Sequence, residues 1–290
     1  MVGKKVLITG SNGLLGRSLR ACLLQHNFVV ISTGLGSDRF EEFGGFYEEM
    51  DVTSLNSCNR IIDKYKPDII INAAALTNVD ACENNKEHCL NINTHSLLNY
   101  IPQIQNYNIH FIQLSTDFVF SGIEGSYVEN DLCDPVNYYG FSKLESEKIL
   151  LNTLSNFTII RTSLVYSNDC ANMNFLNWVK SSLEKKIKLK IVDDQYRTPT
   201  FLTDLVQAIL KVLNMKKYGV YHISSGERLS IYQIVCNIAK YYGYNMNLIN
   251  KTNSKTLNQA ATRPKDSSLR IDKAVNELNF KPTSLLNSLK

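Results

Sequence analysis

The stretch "VLITGSNGLLGRSL", residues 6–19, contains an apolar run, a turn with three glycines and a resumed apolar pattern. The run at 6–8 suits a strand buried on both faces, as in a parallel sheet covered by helices. Gly10, Gly13 and Gly16 then give GxxGxxG, a spacing that lets a pyrophosphate approach the backbone before the N–H groups of a helix. The stretch therefore predicts a dinucleotide-binding turn made by Gly10, Ser11, Asn12, Gly13, Leu14, Leu15 and Gly16.

Strand-like and helix-like segments alternate through the first half of the chain. Strands are predicted over 6–8, 28–32, 67–75, 109–116, 157–166 and 218–225, and helices over 14–26, 86–100, 139–152, 174–186, 203–215 and 230–243. This alternation predicts an α/β fold of the Rossmann type, a doubly wound parallel sheet. We expect residues 1–166, with 200–225 returning to them, to form the dinucleotide-binding domain, and residues 167–199 and 226–290 to form a smaller C-terminal substrate-binding lobe.

Composition excludes several classes of protein. The 31 basic and 27 acidic residues are spread along the chain without a basic block, so no nucleic-acid partner is expected. The seven cysteines, at 22, 58, 82, 89, 133, 170 and 236, form no C-x-x-C, which argues against a zinc site or a disulfide framework. The start "MVGKK" lacks the apolar core of a signal peptide, and no apolar run reaches membrane-spanning length, so we expect a cytoplasmic protein without membrane contact.

The second predicted strand bears on which dinucleotide is bound. An acidic residue at its end binds the ribose hydroxyls of NAD and repels the extra phosphate of NADP, but no acid follows this strand until Asp38. Arg17 and Arg39 could bind a phosphate through paired guanidinium donors, or could be ordinary surface charges. The pattern favours NADPH, with NADH as the alternative. Asp51 and Val52, which end a third predicted strand, are candidates for contacting the adenine ring.

The candidate chemistry lies in "STDFVF" (115–120) and "YYGFSK" (138–143). Tyr139 and Lys143 are four residues apart, which places both on one face of a helix. A nearby ammonium is expected to lower the pKa of the phenol, so that the tyrosine can pass a proton to a carbonyl oxygen. A hydroxyl from Ser115 or Thr116 could hold that same oxygen. The alternative is a pair of residues on a helix surface.

These motifs resemble those of the extended short-chain dehydrogenase/reductases and, within that superfamily, of the dTDP-4-dehydrorhamnose reductase family. The resemblance covers nearly the whole chain. The glycine turn and the Y-x-x-x-K pair are shared across the superfamily, whereas two C-terminal motifs are narrower. The matching stretches are "TGSNGLLG" (9–16), "NAAALTNVDACE" (72–83), "STDFVF", "YYGFSK", "IIRTSLVY" (159–166), "DDQYRTPTFLTDL" (193–205) and "RPKDSSL" (263–269).

The resemblance implies that NAD(P)H delivers hydride to C4 of a nucleotide-linked 4-keto-6-deoxy sugar, in the synthesis of deoxysugar or polysaccharide precursors. It implies Thr116, Tyr139 and Lys143 as catalytic residues. Implied cofactor contacts are Ala73, Ala74, Ala75, Thr162 and Leu164. Expected substrate neighbours are Asp80, Ser115, Gln195, Thr200 and Arg263, with purely structural roles as the alternative: Gln195 and Thr200 shaping a loop, Arg263 pairing with a helix end.

Related activities differ in the residues after the strand end. Similar 4,6-dehydratases carry Thr-Asp-Glu, whereas this chain has Thr116-Asp117-Phe118, and similar epimerase/reductases carry a cysteine where Asp117 stands. Simple reduction is favoured, with an epimerase/reductase as an alternative. Many bacterial rhamnose enzymes carry G-x-E-L with a magnesium-bridged dimer; Arg17-Ser18 here argues against that metal site. A homodimer of another kind stays open.

A non-catalytic function is the alternative from a different class. The β regulatory subunit of methionine adenosyltransferase resembles this family and retains the cofactor fold and the Tyr/Lys pair. The stretches "GLLGR" and "QYRTPT" are similar to that protein as well. An NADP-binding regulatory subunit therefore stays an alternative to the enzyme.

Overall fold

A parallel sheet forms the centre of the computed structural model, which describes residues 3–169 and 174–290. The strands of this described part are β1 (Lys5–Thr9), β2 (Val29–Gly34), β3 (Phe46–Glu49), β4 (Ile69–Asn72), β5 (His110–Thr116), β6 (Phe157–Thr162), β7 (Val165–Tyr166), β8 (Leu189–Val192), β9 (Tyr196–Arg197), β10 (Thr200–Phe201), β11 (Gly219–Ile223), β12 (Leu229–Ser230) and β13 (Ile249–Thr252). The sheet order is β11-β6-β5-β4-β1-β2-β3, with every pair parallel. This confirms the predicted doubly wound α/β fold.

Helices cover both faces of the sheet. The α-helices of the described residues are α1 (Leu14–Gln25), α2 (Leu55–Tyr65), α3 (Val79–Asn84), α4 (Lys86–Asn93), α5 (Ile101–Tyr107), α6 (Tyr138–Thr153), α7 (Phe175–Glu184), α8 (Leu202–Met215), α9 (Ile231–Tyr242), α10 (Asp272–Leu278) and α11 (Leu285–Ser288). Because strand order reverses at β1, the loops after β1 and β4 diverge and leave a crevice at the carboxyl edge of the sheet, where ligands bind in such folds.

Two hydrophobic clusters lie on the two faces of the sheet. In β1, Val6 and Ile8 belong to one cluster and Leu7 to the other, as strand periodicity requires. Helices α1 and α8 cover the first cluster, and α2, α5 and α6 contribute to the second. The side chains of Val6, Leu7 and Ile8 are fully buried. Burying each of them stabilises the fold by roughly 1.5–3 kcal/mol.

A third cluster joins α7, α9, α11 and the strands β8 and β13. Three short strand pairs accompany it: β7 with β10, β9 with β12, and β8 with β13. Helix α10 instead packs in the first cluster, beside α8 and β11. The proposed division into a dinucleotide-binding domain and a smaller lobe stays a prediction.

Three predicted elements differ from the structure. The helix predicted over 86–100 ends at Asn93, because Thr94 leaves helical geometry and its hydroxyl donates to the carbonyl of Ser142. The strand predicted over 157–166 breaks where Leu164 adopts a left-handed φ of 43°, so that β7 pairs with β10 outside the main sheet. The third strand ends at Glu49, so Asp51 and Val52 lie in the loop that follows.

Six cysteines are free thiols in the described part of the chain, and Cys170 lies outside it. Within residues 3–169 and 174–290, no helix has the length and apolar character needed to cross a membrane.

Candidate active site

The glycine turn lies where β1 ends at the crevice. Helix α1 starts at Leu14, and Gly13 before it supplies no side chain to cap the first N–H groups. A Cβ on Gly16 would lie 2.4 Å from the carbonyl oxygen of Gly10 and 2.6 Å from Cα of Ser11, so only glycine allows the helix to sit this close to the turn. The turn therefore presents unpaired backbone donors to the crevice, as a pyrophosphate requires.

Two cavities meet at this turn. The first, called here the Tyr139 cavity, has a volume of about 570 Å³, and the second, the Arg39 cavity, about 510 Å³. Gly10, Gly13 and Ala75 line both cavities, so the turn separates two halves of one extended groove. Other predicted residues along the Tyr139 cavity are Leu14, Leu15, Gly16, Ala73, Ser115, Thr116, Tyr139, Lys143, Thr162 and Leu164. Those along the Arg39 cavity are Asn12, Arg39, Asp51, Val52 and Ala74.

The end of β2 presents little negative charge to the Arg39 cavity. Both carboxylate oxygens of Asp38 lie 2.8 Å from Nη1 of the buried Arg20. The Arg39 backbone N–H donates to Asn12 Oδ1 at 3.2 Å, which holds this loop against the glycine turn. Because Arg20 pairs with Asp38, the acidic residue next to Arg39 is neutralised, which favours a 2′-phosphate placed near Arg39.

Arg17 differs from Arg39 in its surroundings. Its guanidinium carbon lies 4.8 Å from the centre of the Phe40 ring, and the side chain pairs with Asp169. Only 8% of Arg17 is exposed, and it lines neither cavity. The structure thus separates the two predicted phosphate ligands and leaves Arg39 as the one beside the groove.

Helix α6 brings Tyr139 to the end of β5. Asn137 caps the helix by accepting from the Gly140 backbone N–H at 2.9 Å. A Cβ on Gly140 would lie 2.0 Å from the carbonyl oxygen of Phe118, so glycine at this position lets the first helical turn contact the turn after β5. This close approach brings Tyr139 to the cavity that Thr116 also lines.

Burial shifts the pKa values of Lys143 and Tyr139 in opposite directions. Lys143 is 3% exposed, and burial lowers its pKa to about 8, with the Glu147 carboxylate acting in the opposite direction. Burial raises the pKa of Tyr139; the charge of Asp117 adds to this, and the Thr116 hydroxyl opposes it. The expected lowering of the Tyr139 pKa is not found, because the cost of burying a phenolate is the largest contribution. Tyr139 is therefore protonated near neutral pH, as a proton donor must be.

Ser115 turns its hydroxyl away from the site. Its Oγ donates to Glu147 Oε1, and Arg161 also donates to this carboxylate, with Nη2 at 2.7 Å from Oε2. All three residues are buried. Ser115 lines the Tyr139 cavity, but its proton is directed to Glu147, so this hydroxyl has no proton left to donate to a substrate.

The remaining predicted substrate residues are engaged with one another or with the fold. Thr200 is fully buried, and its hydroxyl donates to the Ser163 carbonyl at 2.7 Å. The Gln195 amide donates to Ser254 Oγ at 2.8 Å. Arg263 forms two bonds of 2.6 Å with Asp80, and this guanidinium lowers the pKa of the Asp80 carboxyl to about 2. None of these four lines the Tyr139 cavity, which matches the structural alternatives in the sequence analysis.

Several lining residues were not predicted from sequence. In the Tyr139 cavity the most informative is Arg197, a buried cation within the "QYRTPT" motif; the motif signalled the loop but not which side chain turns inward. Aliphatic and polar residues from distant elements complete the walls. They are Thr77, Val79, Leu114, Asp117, Phe118, Asn174, Val165 and Leu205 in the Tyr139 cavity, and Gly34, Leu35, Met50, Thr53, Leu76, His88, Asn91 and Ile92 in the Arg39 cavity.

Glu83, in α3, accepts from the Tyr138 backbone N–H at 3.0 Å and pairs with Lys86. The described residues contain no group of three or more His, Cys, Asp or Glu side chains suited to a metal ion.

The fold and this site define a dinucleotide-binding protein of the short-chain dehydrogenase/reductase class. The model of the RmlD substrate binding domain family matches residues 4–290, so the chain belongs to that family. The dTDP-4-dehydrorhamnose reductase of Aggregatibacter actinomycetemcomitans is 29% identical over an alignment of 298 positions, which covers 99% of this chain and 97% of that relative.

Two further proteins are similar to this chain. The solved structure of dTDP-4-dehydrorhamnose reductase from Bacillus anthracis, in complex with NADP, has a TM-score of 0.88 at 26% identity, covering 99% of this chain and 98% of that one. Methionine adenosyltransferase 2 subunit beta of Bos taurus is 27% identical over 243 residues, which cover 81% of this chain and 71% of that protein.

Proposed function

We propose that this protein is an NADPH-dependent reductase of the C4 keto group of a nucleotide-linked 4-keto-6-deoxy sugar. The observation that supports this most is the convergence of Tyr139, Lys143 and Thr116 on a cavity that continues past the glycine turn. The reductases among its relatives supply the substrate class. Simple reduction is favoured over dehydration because Phe118 replaces the glutamate of the dehydratases.

The chain's own residues handle the proton. Bound NADPH supplies the hydride to the keto carbon. Tyr139, protonated near neutral pH, gives its phenolic proton to the carbonyl oxygen, so that the ketone gains a hydride and a proton and becomes an alcohol. The Lys143 ammonium in the same cavity stabilises the phenolate that remains. Because its pKa is about 8, this charge is lost as the pH rises through that value.

The groove fits the proposed cofactor. The close contact at Gly16 leaves no room for a side chain at the turn, and both cavities are lined by Gly10 and Gly13 of that turn. We place the nicotinamide half in the Tyr139 cavity, beside Ala73, Ala75, Thr162 and Leu164. The adenosine half then lies in the Arg39 cavity, beside Ala74, Asp51 and Val52.

Replacing Arg39 with alanine tests the choice between NADPH and NADH. We expect the variant to bind NADPH more weakly by about 1–3 kcal/mol, because it lacks the charge-assisted bonds to the 2′-phosphate. Affinity for NADH should not change, since NADH lacks that phosphate. Isothermal titration calorimetry of both cofactors measures this. Equal affinities of the unmodified protein for NADPH and NADH would contradict the assignment.

Turnover of keto-sugar nucleotides tests the proposed function itself. Purified protein with NADPH should oxidise the cofactor when given a member of a panel of dTDP-, UDP- and GDP-linked 4-keto-6-deoxy sugars. The likeness to methionine adenosyltransferase 2 subunit beta supports a second candidate, a regulatory subunit. That candidate predicts co-elution with a methionine adenosyltransferase catalytic subunit and no NADPH oxidation with any sugar nucleotide. A homodimer and a cytoplasmic location stay predictions.

A further inference from the structure

Residues 35–39, called here the Arg39 loop, follow the end of β2 and contribute Leu35 and Arg39 to the Arg39 cavity. Apart from Asp38, every residue of this loop is exposed. Packing in the hydrophobic core therefore does not fix the loop. Its conformation depends on hydrogen bonds with neighbouring elements, and two side chains outside the loop, those of Asn12 and Tyr47, supply three of these bonds.

Asn12 holds the Arg39 loop from the glycine turn. Its Nδ2 donates to the Ser37 carbonyl at 3.1 Å and to the Tyr47 hydroxyl at 3.1 Å, and its Oδ1 accepts from the Arg39 backbone N–H at 3.2 Å. An asparagine amide has two N–H donors, and both are used within the protein. Asn12, which the sequence predicts as a cofactor contact, therefore has no side-chain N–H left to donate to a phosphate.

Tyr47 holds the same loop from β3, and it lines neither cavity. Its hydroxyl donates to the Gly36 carbonyl at 2.8 Å and accepts from Asn12 Nδ2. The Gly36 backbone N–H in turn donates to Glu49 Oε1 at 3.1 Å. Both backbone groups of Gly36 are thus bonded to side chains of β3, and Tyr47 links this bond to the one made by Asn12.

We propose that Asn12 and Tyr47 are positioning residues for cofactor selectivity: together they fix the Arg39 loop, so that Arg39 is already placed for the 2′-phosphate before NADPH binds. An exposed loop that became ordered only on binding would lose part of the binding free energy to conformational entropy. The bonds from Asn12 and Tyr47 remove part of that loss, because they order the loop in the free protein. The inference rests on the proposed function only for the placement of the 2′-phosphate near Arg39.

Replacing Tyr47 with phenylalanine tests the inference, with Tyr65→Phe as the matched control. Tyr65 Oη donates to Glu48 Oε1 at 2.8 Å, so it also bonds to β3, and both substitutions retain the aromatic ring. We expect Tyr47→Phe to weaken NADPH binding roughly 2- to 12-fold, the effect of one hydrogen bond, and to leave NADH binding unchanged. Tyr65→Phe should change neither affinity. Isothermal titration calorimetry measures all four, and equal losses for NADPH and NADH in Tyr47→Phe would overturn the inference.

A double-mutant cycle separates positioning of Arg39 from a general loss of structure. In an Arg39→Ala background the loop has no guanidinium to place, so adding Tyr47→Phe should cause no further loss of NADPH affinity. A purely structural role for Tyr47 predicts instead that the two losses add. Additive losses would therefore overturn the inference.

Hydrogen exchange in the cofactor-free protein tests whether the loop is ordered before binding. Mass spectrometry of the peptide containing residues 35–39 should show protection in the unmodified protein, because the Arg39 amide donates to Asn12, and faster exchange in Asn12→Ala. A loop that gains protection only when NADPH binds would overturn the inference, even if Tyr47→Phe does not fold. None of these measurements needs a sugar, so a protein that reduces no keto-sugar nucleotide would contradict the proposed function while the role of Asn12 and Tyr47 is decided separately.

Discussion

Replacing Tyr139 with phenylalanine should lower kcat for reduction of a 4-keto-sugar nucleotide by roughly 10²–10⁴-fold, the effect of losing a general acid. The ring and its packing stay, including the edge-on contact with Phe118 at 6.1 Å between ring centres. NADPH affinity should therefore stay nearly unchanged. Single-turnover reduction and quenching of intrinsic fluorescence by NADPH measure the two quantities.

Tyr138 provides the matched control for this variant. It precedes Tyr139 on the same helix, packs at a tilt against Phe141 with ring centres 5.4 Å apart, and lines neither cavity. Tyr138→Phe should leave turnover unchanged.

Lys143→Met should lower both turnover and cofactor affinity, because the buried ammonium lies in the same cavity. A Tyr139→Phe enzyme with near-normal turnover would remove the proposed mechanism.

Replacing Glu147 with alanine should destabilise the fold by about 3–5 kcal/mol, the cost of leaving a buried charge unpaired. Glu147 is fully buried in α6 and receives Nη2 of Arg161 at 2.7 Å and Nε at 3.1 Å. The variant leaves that guanidinium, itself 4% exposed, without its carboxylate. Urea denaturation followed by circular dichroism measures the free energy of unfolding.

Glu145→Ala is the matched control on the same helix. Glu145 pairs with Lys148 at 2.7 Å, but 54% of the Lys148 side chain is exposed, so this pair lies at the surface. Such surface pairs stabilise a protein by about 0–1 kcal/mol, so this variant should change the midpoint little. Equal midpoints for the Glu147 and Glu145 variants would contradict a structural role for the buried pair.

The fold was predictable where local pattern and burial agree. The run at 6–8 and its glycine turn indicated a buried parallel strand before a helix, and the structure has both. The prediction of secondary structure failed where a contact with a residue far away in the sequence determines the backbone conformation. Thr94 ends a helix by bonding Ser142 across the fold, and Leu164 takes a left-handed conformation that lets β7 pair with β10. Neither partner is visible within a short sequence window.

The site was predictable where residues follow helical or strand spacing. Tyr139, Lys143 and Thr116 all reach one cavity, as their spacing and positions after β5 indicated. Side-chain direction inside motifs was not predictable. Within "QYRTPT", Arg197 turns to the cavity, while the Thr200 hydroxyl forms a hydrogen bond with the backbone. Packing against β6 and Phe118 determines these two side-chain directions. Packing also determines the directions of Arg17 and Arg39: Arg17 packs against Phe40, whereas Arg39 lines the Arg39 cavity.

Transfer of deuterium from [4-²H]NADPH to the sugar tests the central claim most directly. The account predicts that mass spectrometry finds deuterium at C4 of the product alcohol when the unmodified protein reduces a nucleotide-linked 4-keto-6-deoxy sugar, and that Tyr139→Phe nearly abolishes this product. Absence of label at C4 for every member of the dTDP, UDP and GDP panel, from a protein that binds NADPH tightly, would contradict the account and favour the regulatory-subunit function.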